Sequence, residues 1–492
     1  MPVTIAQAVF FTYLFLVFLI GVYAARFTKY TPADFYLADR GVGTLVLGLT
    51  LAATVLSAFT VFGIGADTSQ VGLGPFSFLA IAAVFYTLFF ASVGVALYRI
   101  GTEHDIVTPA EYIRVRYESP LLGVVYLTVT GIFMLAMLAG QLLGGGVALD
   151  ALIGIPFTVA VLLMALFMIV YIHIAGYRGV IWSDAVQSTV LFAVLAGVVA
   201  YVMVVRDSTE IAESASQEIP GLLDIVGPAD LWTPLFVMTA ALAFAVGVPG
   251  YPHTIQRYFS AGNAQIMRDS GFLFALVAVP IYFFGAVLGV WSVGVIPEPP
   301  EPDYVIPLLV ETLMHPVVFG IVMAGATAAI MSTADSVALT MSSMLSRDVY
   351  REFVNPDATS REEVRATQLL VFLLIVLAVA LTLVQPAGIF PLIEFAVVGF
   401  ATTTAPIFLG VYWDGATKSG ATASLVFGPG VTILLFPEIG VIPETLTFGM
   451  HYGFIGVLVA YSTFVLVSLL SQTPGEGSVS TYSQSFWGQQ SD

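Results

Sequence analysis

The sequence predicts an all-α integral membrane protein with about 13 transmembrane helices. Of its 492 residues, 58% are hydrophobic and only 10% are charged, and the mean hydropathy is +0.96. These values are typical of membrane-embedded chains and exclude the soluble globular class. The apolar residues also recur in windows of about 20 residues, which is the length that a helix needs to cross a bilayer.

The apolar windows divide the chain into a short series of predicted elements. They occupy residues 6–25, 43–66, 72–98, 120–149, 155–175, 180–205, 233–250, 271–296, 317–345, 366–385, 389–412, 419–437 and 446–470. The first window lacks a basic leader and a small-residue cleavage site, so we expect it to be a retained helix. Residues 472–492 are rich in Ser, Gln and Gly and predict a mobile tail, because they have too little apolar content to fold alone. Residues 1–471 are expected to form one domain.

The positions of the basic residues predict the orientation in the membrane. All fifteen Lys and Arg residues except Arg206 follow alternate windows, with Arg178 after the fifth and Arg257 after the seventh. Cytoplasmic loops retain positive charge, so we expect the N-terminus outside and the C-terminus, with its tail, inside. This pattern leaves no Lys or Arg at the middle of the membrane.

The absence of cysteine and the net charge lead to two further predictions. The chain has no cysteine, which excludes disulfides, thiolate metal sites and cysteine nucleophiles. Its net charge of −17 is unusual for a membrane protein and predicts a halophilic chain that stays soluble in concentrated salt.

Two of the windows contain residues that interrupt a helix, near 53–63 and 245–253. The first contains SAFTVFGIG and the second contains GVPGYPH, in which Pro249 and Pro252 cannot complete helical hydrogen bonds. A membrane tolerates free carbonyls only beside a cavity or a ligand. The two windows open sets of five helices, 43–205 and 233–412, and paired breaks of this kind indicate an inverted repeat around a midplane site.

The run AAIMSTADS, residues 328–336, places polar side chains inside a strongly apolar window. Helical spacing puts Ala329, Ser332 and Thr333 on one face, and it puts Ser332, Asp335 and Ser336 on the adjacent face. Polar groups at this depth are costly and usually functional. Hydroxyl and carboxylate oxygens suit a hard cation, so the leading hypothesis is a sodium site.

Five motifs in order, AAIMSTADS, SAFTVFGIG, GVIWSDAVQ, GVPGYPHTIQRYFS and DFYLADRG, resemble those of the sodium:solute symporters. That family includes carriers of proline, pantothenate, monocarboxylates, sialic acid and sugars, and the resemblance extends to about Leu470. It implies one transporter domain with the five-plus-five inverted repeat of the bacterial leucine transporter. The helix at 6–25 and the two helices within 419–470 would be additions to that repeat.

The resemblance also implies which residues bind the coupling cation. A conserved sodium site would use the carbonyl oxygens of Ala53, Leu56 and Ala329 with the hydroxyls of Ser332 and Thr333. A possible second cation site would use Ser332, Asp184, Asp335 and Ser336. The carboxylate of Asp335 departs from sugar and sialic acid carriers and could bind sodium, carry a proton or only form hydrogen bonds.

Contacts to the solute are implied for positions on the two broken helices and on the fourth window. They are Ser57, Thr60, Gln141, Gly247, Gly250 and Tyr251. The GVPGYPH form favours a small carboxylate or amino acid over a sugar, and Val55 departs from both proline and sugar carriers. Without a midplane cation, a carboxylate would have to meet the N–H groups of half-helices.

The resemblance therefore implies a sodium-driven importer of a small organic acid, working in a cell membrane by alternating access. Sodium would be its coupling ion, and no organic cofactor, nucleic acid or obligatory protein partner is expected beside the solute and the lipid bilayer. A sugar, polyol or proton-coupled carrier of the same family is an alternative.

Other interpretations of the same residues remain open. Ser332 and Thr333 could bond only to carbonyls of their own helix, and Asp184 could cap a helix or form a local ion pair near Arg178. Asp184 and Asp335 could also form an intramembrane aspartyl protease, although neither lies in a GxGD sequence. A channel is disfavoured because no pore loop or ring of charge is visible.

Overall fold

The computed structural model describes residues 4–27, 32–224, 226–228, 232–296 and 298–471. Every regular element within these ranges is helical, as the sequence predicts. The predicted tail, residues 472–492, lies outside the described residues.

The first half of the chain contains the predicted windows one to six and ten helices. Its helices are α1 (Ile5–Ala25), α2 (Pro32–Leu37), α3 (Thr44–Val55), α4 (Ile64–Val71), α5 (Gly74–Phe89), α6 (Val95–Glu103), α7 (Pro109–Arg116), α8 (Pro120–Ile153), α9 (Phe157–Val205) and α10 (Ser208–Glu218). Widened helical turns at Phe59–Gly63 and Phe90–Gly94 lead into α4 and α6.

The second half contains the remaining windows. Its helices are α11 (Pro234–Gly247), α12 (Pro252–Ser260), α13 (Ala264–Val295), α14 (Val305–Leu313), α15 (Pro316–Met344), α16 (Ser360–Val384), α17 (Ile389–Thr402), α18 (Ala405–Tyr412), α19 (Lys418–Leu435) and α20 (Tyr452–Leu470). The first N–H groups of a helix have no hydrogen-bond partner within that helix. Many helices here begin after a hydroxyl or amide residue whose side-chain oxygen accepts a hydrogen bond from one of these N–H groups. Thr233 before α11, Asn263 before α13 and Thr359 before α16 are three of these caps.

Among the described residues, 10 helices are long and apolar enough to cross a membrane, and the bent pair Pro234–Gly250 and Pro252–Ser260 raises this number to 11. The other two predicted spans are the interrupted pair of α3 and α4 and the 18-residue helix α19. Each predicted window therefore contains a helix. The exact number of helices that cross the membrane remains a prediction.

The predicted boundary between the fifth and sixth windows is present, but it is shorter than expected. Two apolar helices, Phe157–Ile174 and Gly176–Val205, lie where the sequence predicts helices at 155–175 and 180–205, and together they make up α9. It is kinked at Gly176, whose φ of 56° and ψ of −172° are non-helical. Positive φ is accessible to glycine without steric cost, so the chain changes direction within one residue instead of forming a loop. Arg178 therefore lies in α9.

Helix α15 lies at the centre of the protein. In its most apolar stretch 83% of the residues are buried, compared with 28% for α1. It packs against α8 on one side and against α9 and α1 on the other. Protein atoms rather than lipid therefore surround the polar run 328–336, and each hydroxyl or carboxylate there must find a partner within the fold.

The basic residues of the predicted cytoplasmic loops pair with acids. Glu111 on α7 bonds to Arg347 at 3.1 Å and to Arg114 at 3.2 Å, and Glu363 on α16 bonds to Arg351 at 3.1 Å. These pairs connect α7, the turns that follow α15, and α16. They close one end of the helix bundle.

Asp303 gives a testable pH dependence at a turn outside the spans. Its Oδ2 accepts a hydrogen bond of 3.2 Å from the Ile389 N–H at the start of α17, and burial raises its pKa to about 6. Because the folded state keeps this proton at a pH where the unfolded state has lost it, stability should fall as the pH rises from about 4 to about 6.

Asp303→Asn keeps the acceptor and removes the titration. We expect this variant to gain stability over the wild type at pH 7, by on the order of 2 kcal/mol, with little difference below pH 4. Thermal unfolding of the purified protein in detergent at the two pH values measures the effect. An equal difference between the proteins at both pH values would contradict the assignment.

Candidate functional site

The predicted break in the second span is present between α3 and α4. Leu56 leaves the helix with an extended backbone (φ −75°, ψ 97°). The N–H of Ser57 donates to the hydroxyl of Thr60 at 2.8 Å, instead of continuing the helix by bonding to the carbonyl of Ala53. The Ala53 carbonyl is thereby available to a partner outside its own helix.

That partner is α15. The Ser332 hydroxyl lies 3.0 Å from the Ala53 carbonyl oxygen and 2.8 Å from that of Ala329. The Thr333 hydroxyl lies 3.3 Å from the Ala53 oxygen and 3.4 Å from the Leu56 oxygen. Three carbonyl and two hydroxyl oxygens, which we call the oxygen cluster, therefore come together at the contact between α3 and α15.

The oxygen cluster has the composition that suits a hard cation. All its ligands are neutral oxygens, and the Ser332 and Thr333 side chains are each 1% exposed. The bond from Ser332 to Ala329 lies within one helix, as the back-bonding alternative proposed, but the contacts to Ala53 and Leu56 join two different helices. Hard oxygen ligands without nitrogen or sulfur fit an alkali or alkaline-earth cation and do not fit a transition metal.

Two residues of the possible second cation site, Asp184 and Ser336, bond to the same arginine. Asp184 Oδ2 accepts hydrogen bonds from the Thr50 hydroxyl at 2.7 Å and from Arg257 Nη2 at 3.0 Å. The same Nη2 donates to the Ser336 hydroxyl at 2.7 Å. The side chains of Asp184 and Arg257 are each only 1% exposed, so this is a buried ion pair between α9 and α12.

This pairing corrects three expectations. Arg257 is not in a cytoplasmic loop but is buried in α12, so a basic residue does lie beside the predicted site. Asp184 does not cap a helix, because it lies within α9, and its ion pair is with Arg257 rather than a residue near Arg178. Asp335 is also buried, and its Oδ1 has no hydrogen-bond partner among the described residues.

A small cavity lies between the two broken helices, next to the oxygen cluster. Its lining residues are Ser57, Phe59, Leu79, Met137, Phe244, Val248, Tyr251, Tyr282, Thr333 and Ile393. The space open to water is only about 10 Å³, which is close to the minimum for one water molecule. The cavity is therefore nearly closed, and it shares Thr333 with the oxygen cluster.

Of the predicted solute contacts, Ser57 and Tyr251 line this cavity. The Thr60 hydroxyl instead stabilises the break locally by bonding to the backbone of Ser57. Gln141 reaches the same break, since its Oε1 accepts a hydrogen bond of 3.0 Å from the Ala58 N–H.

The two predicted glycines lie at the break between α11 and α12 and permit close packing. A Cβ on Gly247 would lie 2.6 Å from the Val397 carbonyl oxygen, and one on Gly250 would lie 2.1 Å from the Thr404 methyl carbon. The structure therefore gives both glycines a role in packing the second break against α17 and the residues that follow it.

A second cavity lies beyond an aromatic pair. The Phe59 and Phe390 rings stack with centroids 4.8 Å apart, and Phe390 also lines a larger cavity of about 300 Å³. That cavity contains the carboxylates of Asp67 and Glu394. The stacked rings therefore stand between the nearly closed cavity and the larger one.

Residues that the sequence did not single out include Arg257, Thr50 and Met137. Arg257 stood within the quoted motif GVPGYPHTIQRYFS, but its charge fitted the pattern of cytoplasmic loops. The arginine follows the second helix-breaking proline, Pro252, by less than two turns, and this position was the available signal that it remains inside the protein.

Two interrupted helices that meet beside a buried set of oxygen ligands define a secondary transporter. The model of the sodium:solute symporter family matches residues 35–428. The chain belongs to this family, which confirms the resemblance found in the sequence. Membership makes the protein a transporter rather than an enzyme, and it excludes the aspartyl protease hypothesis.

Curated relatives align over nearly the whole chain. A sodium/proline symporter of Haemophilus influenzae is 26% identical over 96% of each chain. A sodium/pantothenate symporter of the same organism is 28% identical over 90% of this chain and 94% of the relative.

Solved structures show the same fold. A Na⁺-coupled sialic acid symporter superposes with a TM-score of 0.74 and 20% identity, over 96% of this chain and 98% of its own. The transporter MhsT, in complex with L-phenylalanine, superposes with a TM-score of 0.54 and 14% identity, over 87% and 98% of the two chains.

Proposed function

We propose that this protein is a sodium-coupled symporter that imports a small carboxylate-bearing solute by alternating access. The observation that carries the proposal is the oxygen cluster, because its ligands come from two helices that meet only at a break. A cation bound there would hold α3 and α15 in one arrangement. If bound sodium raises the affinity for the solute, bound solute raises the affinity for sodium by the same factor.

The surrounding architecture supports the same proposal. We infer two inverted repeats at 43–205 and 233–412, an extra helix at 6–25, two C-terminal helices within 419–470 and a cytoplasmic tail at 472–492. The breaks in the first helix of each set support this division. The N-terminus would lie outside and the C-terminus inside, which the distribution of basic residues favours.

Two observations favour a solute that carries a carboxylate. One is the solutes named for the relatives, and the other is a buried hydrogen-bond donor on Gln141. Proline and pantothenate, which give two relatives their names, both carry a carboxylate. At the first break, the half-helix N–H groups are already bonded, that of Ala58 to Gln141 and that of Phe59 to the Ser57 hydroxyl. The Gln141 Nε2 group is buried and has no hydrogen-bond partner among the described residues.

We therefore expect Gln141 to donate a hydrogen bond to the solute. Gln141→Leu should raise the KM for uptake about 10-fold or more, because a hydrogen bond to a charged group contributes about 1.5–3 kcal/mol. The variant also leaves the Ala58 N–H unpaired, so thermal unfolding must be measured alongside uptake. Gln141→Asn is the matched control that keeps the amide on a shorter stem. An unchanged KM in Gln141→Leu would contradict the solute contact.

A panel of solutes tests the proposed function. Purified protein in liposomes at high salt should accumulate a carboxylate such as proline or pantothenate only when a sodium gradient is imposed, and uptake should saturate. Preferential uptake of a sugar, or equal uptake under a proton gradient without sodium, would favour the alternative carriers of this family. Uptake that does not saturate would indicate a channel.

A further inference from the structure

A buried arginine occupies the centre of the second group of polar residues. Arg257 donates from Nη2 to Asp184 and Ser336, from Nε to the Thr50 hydroxyl at 3.1 Å, and from Nη1 to the His253 carbonyl at 3.1 Å. Four of the five N–H donors of a guanidinium are therefore engaged. The side chain is 1% exposed, so water does not compete for these bonds.

We propose that the guanidinium of Arg257 takes the place of a second coupling cation, so that the protein binds one Na⁺ in each transport cycle. The inference rests on the proposed sodium-coupled function and adds its stoichiometry. It also assigns a role to Asp184, which would serve as the counter-ion of a tethered charge and not as a sodium ligand.

Two of the oxygens that a second sodium would need, Ser336 Oγ and Asp184 Oδ2, are already committed, whereas Asp184 Oδ1 and Asp335 Oδ1 have no hydrogen-bond partner among the described residues. The Ser336 hydroxyl gives its proton to the Ser332 carbonyl at 2.6 Å, so its oxygen is left to accept, and it accepts from Arg257. Asp184 Oδ2 accepts from both Arg257 and Thr50. A second Na⁺ bound to Ser336 or to Asp184 Oδ2 would have to break these bonds and would lie against the like charge of Arg257 in a buried region, where repulsion is strong.

The tethered charge is connected to the oxygen cluster. Ser336 links the Arg257 guanidinium to the carbonyl of Ser332, and the hydroxyl of Ser332 belongs to the cluster. Arg257 lies on α12, the half-helix after the second break, whereas Ser332 lies on α15. A positive charge at this place therefore helps to hold the two helices together, as a bound ion would, but it does not leave with the solute.

Direct measurement of sodium binding tests the inference on the unmodified protein. Purified transporter titrated with ²²Na⁺ should bind one equivalent, and Thr333→Ala should reduce this to none. Two equivalents in the wild type, with one of them lost in Asp184→Asn, would overturn the role of Arg257 and leave the proposed function intact. No bound sodium at all would overturn both.

Variants of the ion pair between Arg257 and Asp184 provide a second test of the inference. Arg257→Gln should free the oxygens of Asp184 and Ser336 that Arg257 occupies, so that a second equivalent of ²²Na⁺ binds. The double variant Arg257→Gln with Asp184→Asn should again bind one equivalent. The double variant also guards against misfolding, since it removes both charges of the buried ion pair. Arg116→Gln is the matched control, because Arg116 is a buried arginine on α7 that bonds to the carbonyl of Gly410, and it should leave one equivalent. One equivalent in a folded Arg257→Gln protein would overturn the inference.

Discussion

Thr333→Ala is expected to abolish sodium-driven uptake while the protein remains folded in the membrane. The Thr333 hydroxyl lies within 3.4 Å of the carbonyl oxygens of Ala53 and Leu56, and it is one of only two side-chain oxygens in the oxygen cluster. Removing it should lower the affinity for Na⁺ about 100-fold, on the scale of a lost bond to a charged group. Uptake at a sodium concentration that saturates the wild type measures the effect.

The same helix offers matched controls for this change. Thr327 is a fully buried threonine on α15 whose hydroxyl has no hydrogen-bond partner among the described residues. Thr327→Ala removes the same atoms and should leave sodium dependence unchanged, and Thr333→Ser should keep most of the uptake because the hydroxyl is retained. Sodium-dependent uptake that survives in Thr333→Ala would refute the oxygen cluster as the coupling site.

Gly250→Ala is expected to lower uptake at least 10-fold by disturbing the second broken helix. The added Cβ would lie 2.1 Å from the Thr404 methyl carbon, which is far inside van der Waals contact. Overpacking of this kind usually costs about 1–3 kcal/mol. Here the backbone must shift beside Tyr251, which lines the small cavity. Initial uptake rates and thermal unfolding together measure the effect.

Removing the clashing methyl should reverse the defect. Gly250→Ala combined with Thr404→Ser keeps the hydroxyl that bonds to the Ala401 carbonyl and Tyr461, and it should restore most of the uptake. Gly197→Ala is the control, since a Cβ there meets nothing within 4 Å. If the double variant is no more active than Gly250→Ala, the packing explanation is wrong.

The sequence predicted those features that depend on residues close together in the chain. The polar face of α15 could be predicted because Ser332 and Thr333 are separated from Ala329 by helical spacing. The second break could be predicted because Pro249 and Pro252 cannot complete helical hydrogen bonds. The resemblance of the motifs to those of the family predicted the rest of the oxygen cluster, because periodicity alone cannot show that α3 ends against α15.

Features that depend on distant contacts were missed or misplaced. Arg257 and Asp184 are 73 positions apart, and nothing local indicates that the arginine turns inward to form an ion pair. Gln141 and Ala58 are 83 positions apart, so the amide was expected to contact only the solute. The boundary between the fifth and sixth windows was predicted at 176–179, and the structure narrows it to Gly176, because one residue with positive φ is enough to change the direction of the chain.

The composition of the oxygen cluster has a consequence for how such transporters diverge. Three of its five ligands are main-chain atoms, at Ala53, Leu56 and Ala329, which every amino acid possesses. In the proposed sodium site, substitutions at these positions keep the ligand atoms, provided that the new side chain fits its buried surroundings and that the helix still ends at the same point. Deep mutational scanning of sodium-dependent uptake would then identify Ser332 and Thr333, and it would miss the three main-chain ligands of the proposed sodium site.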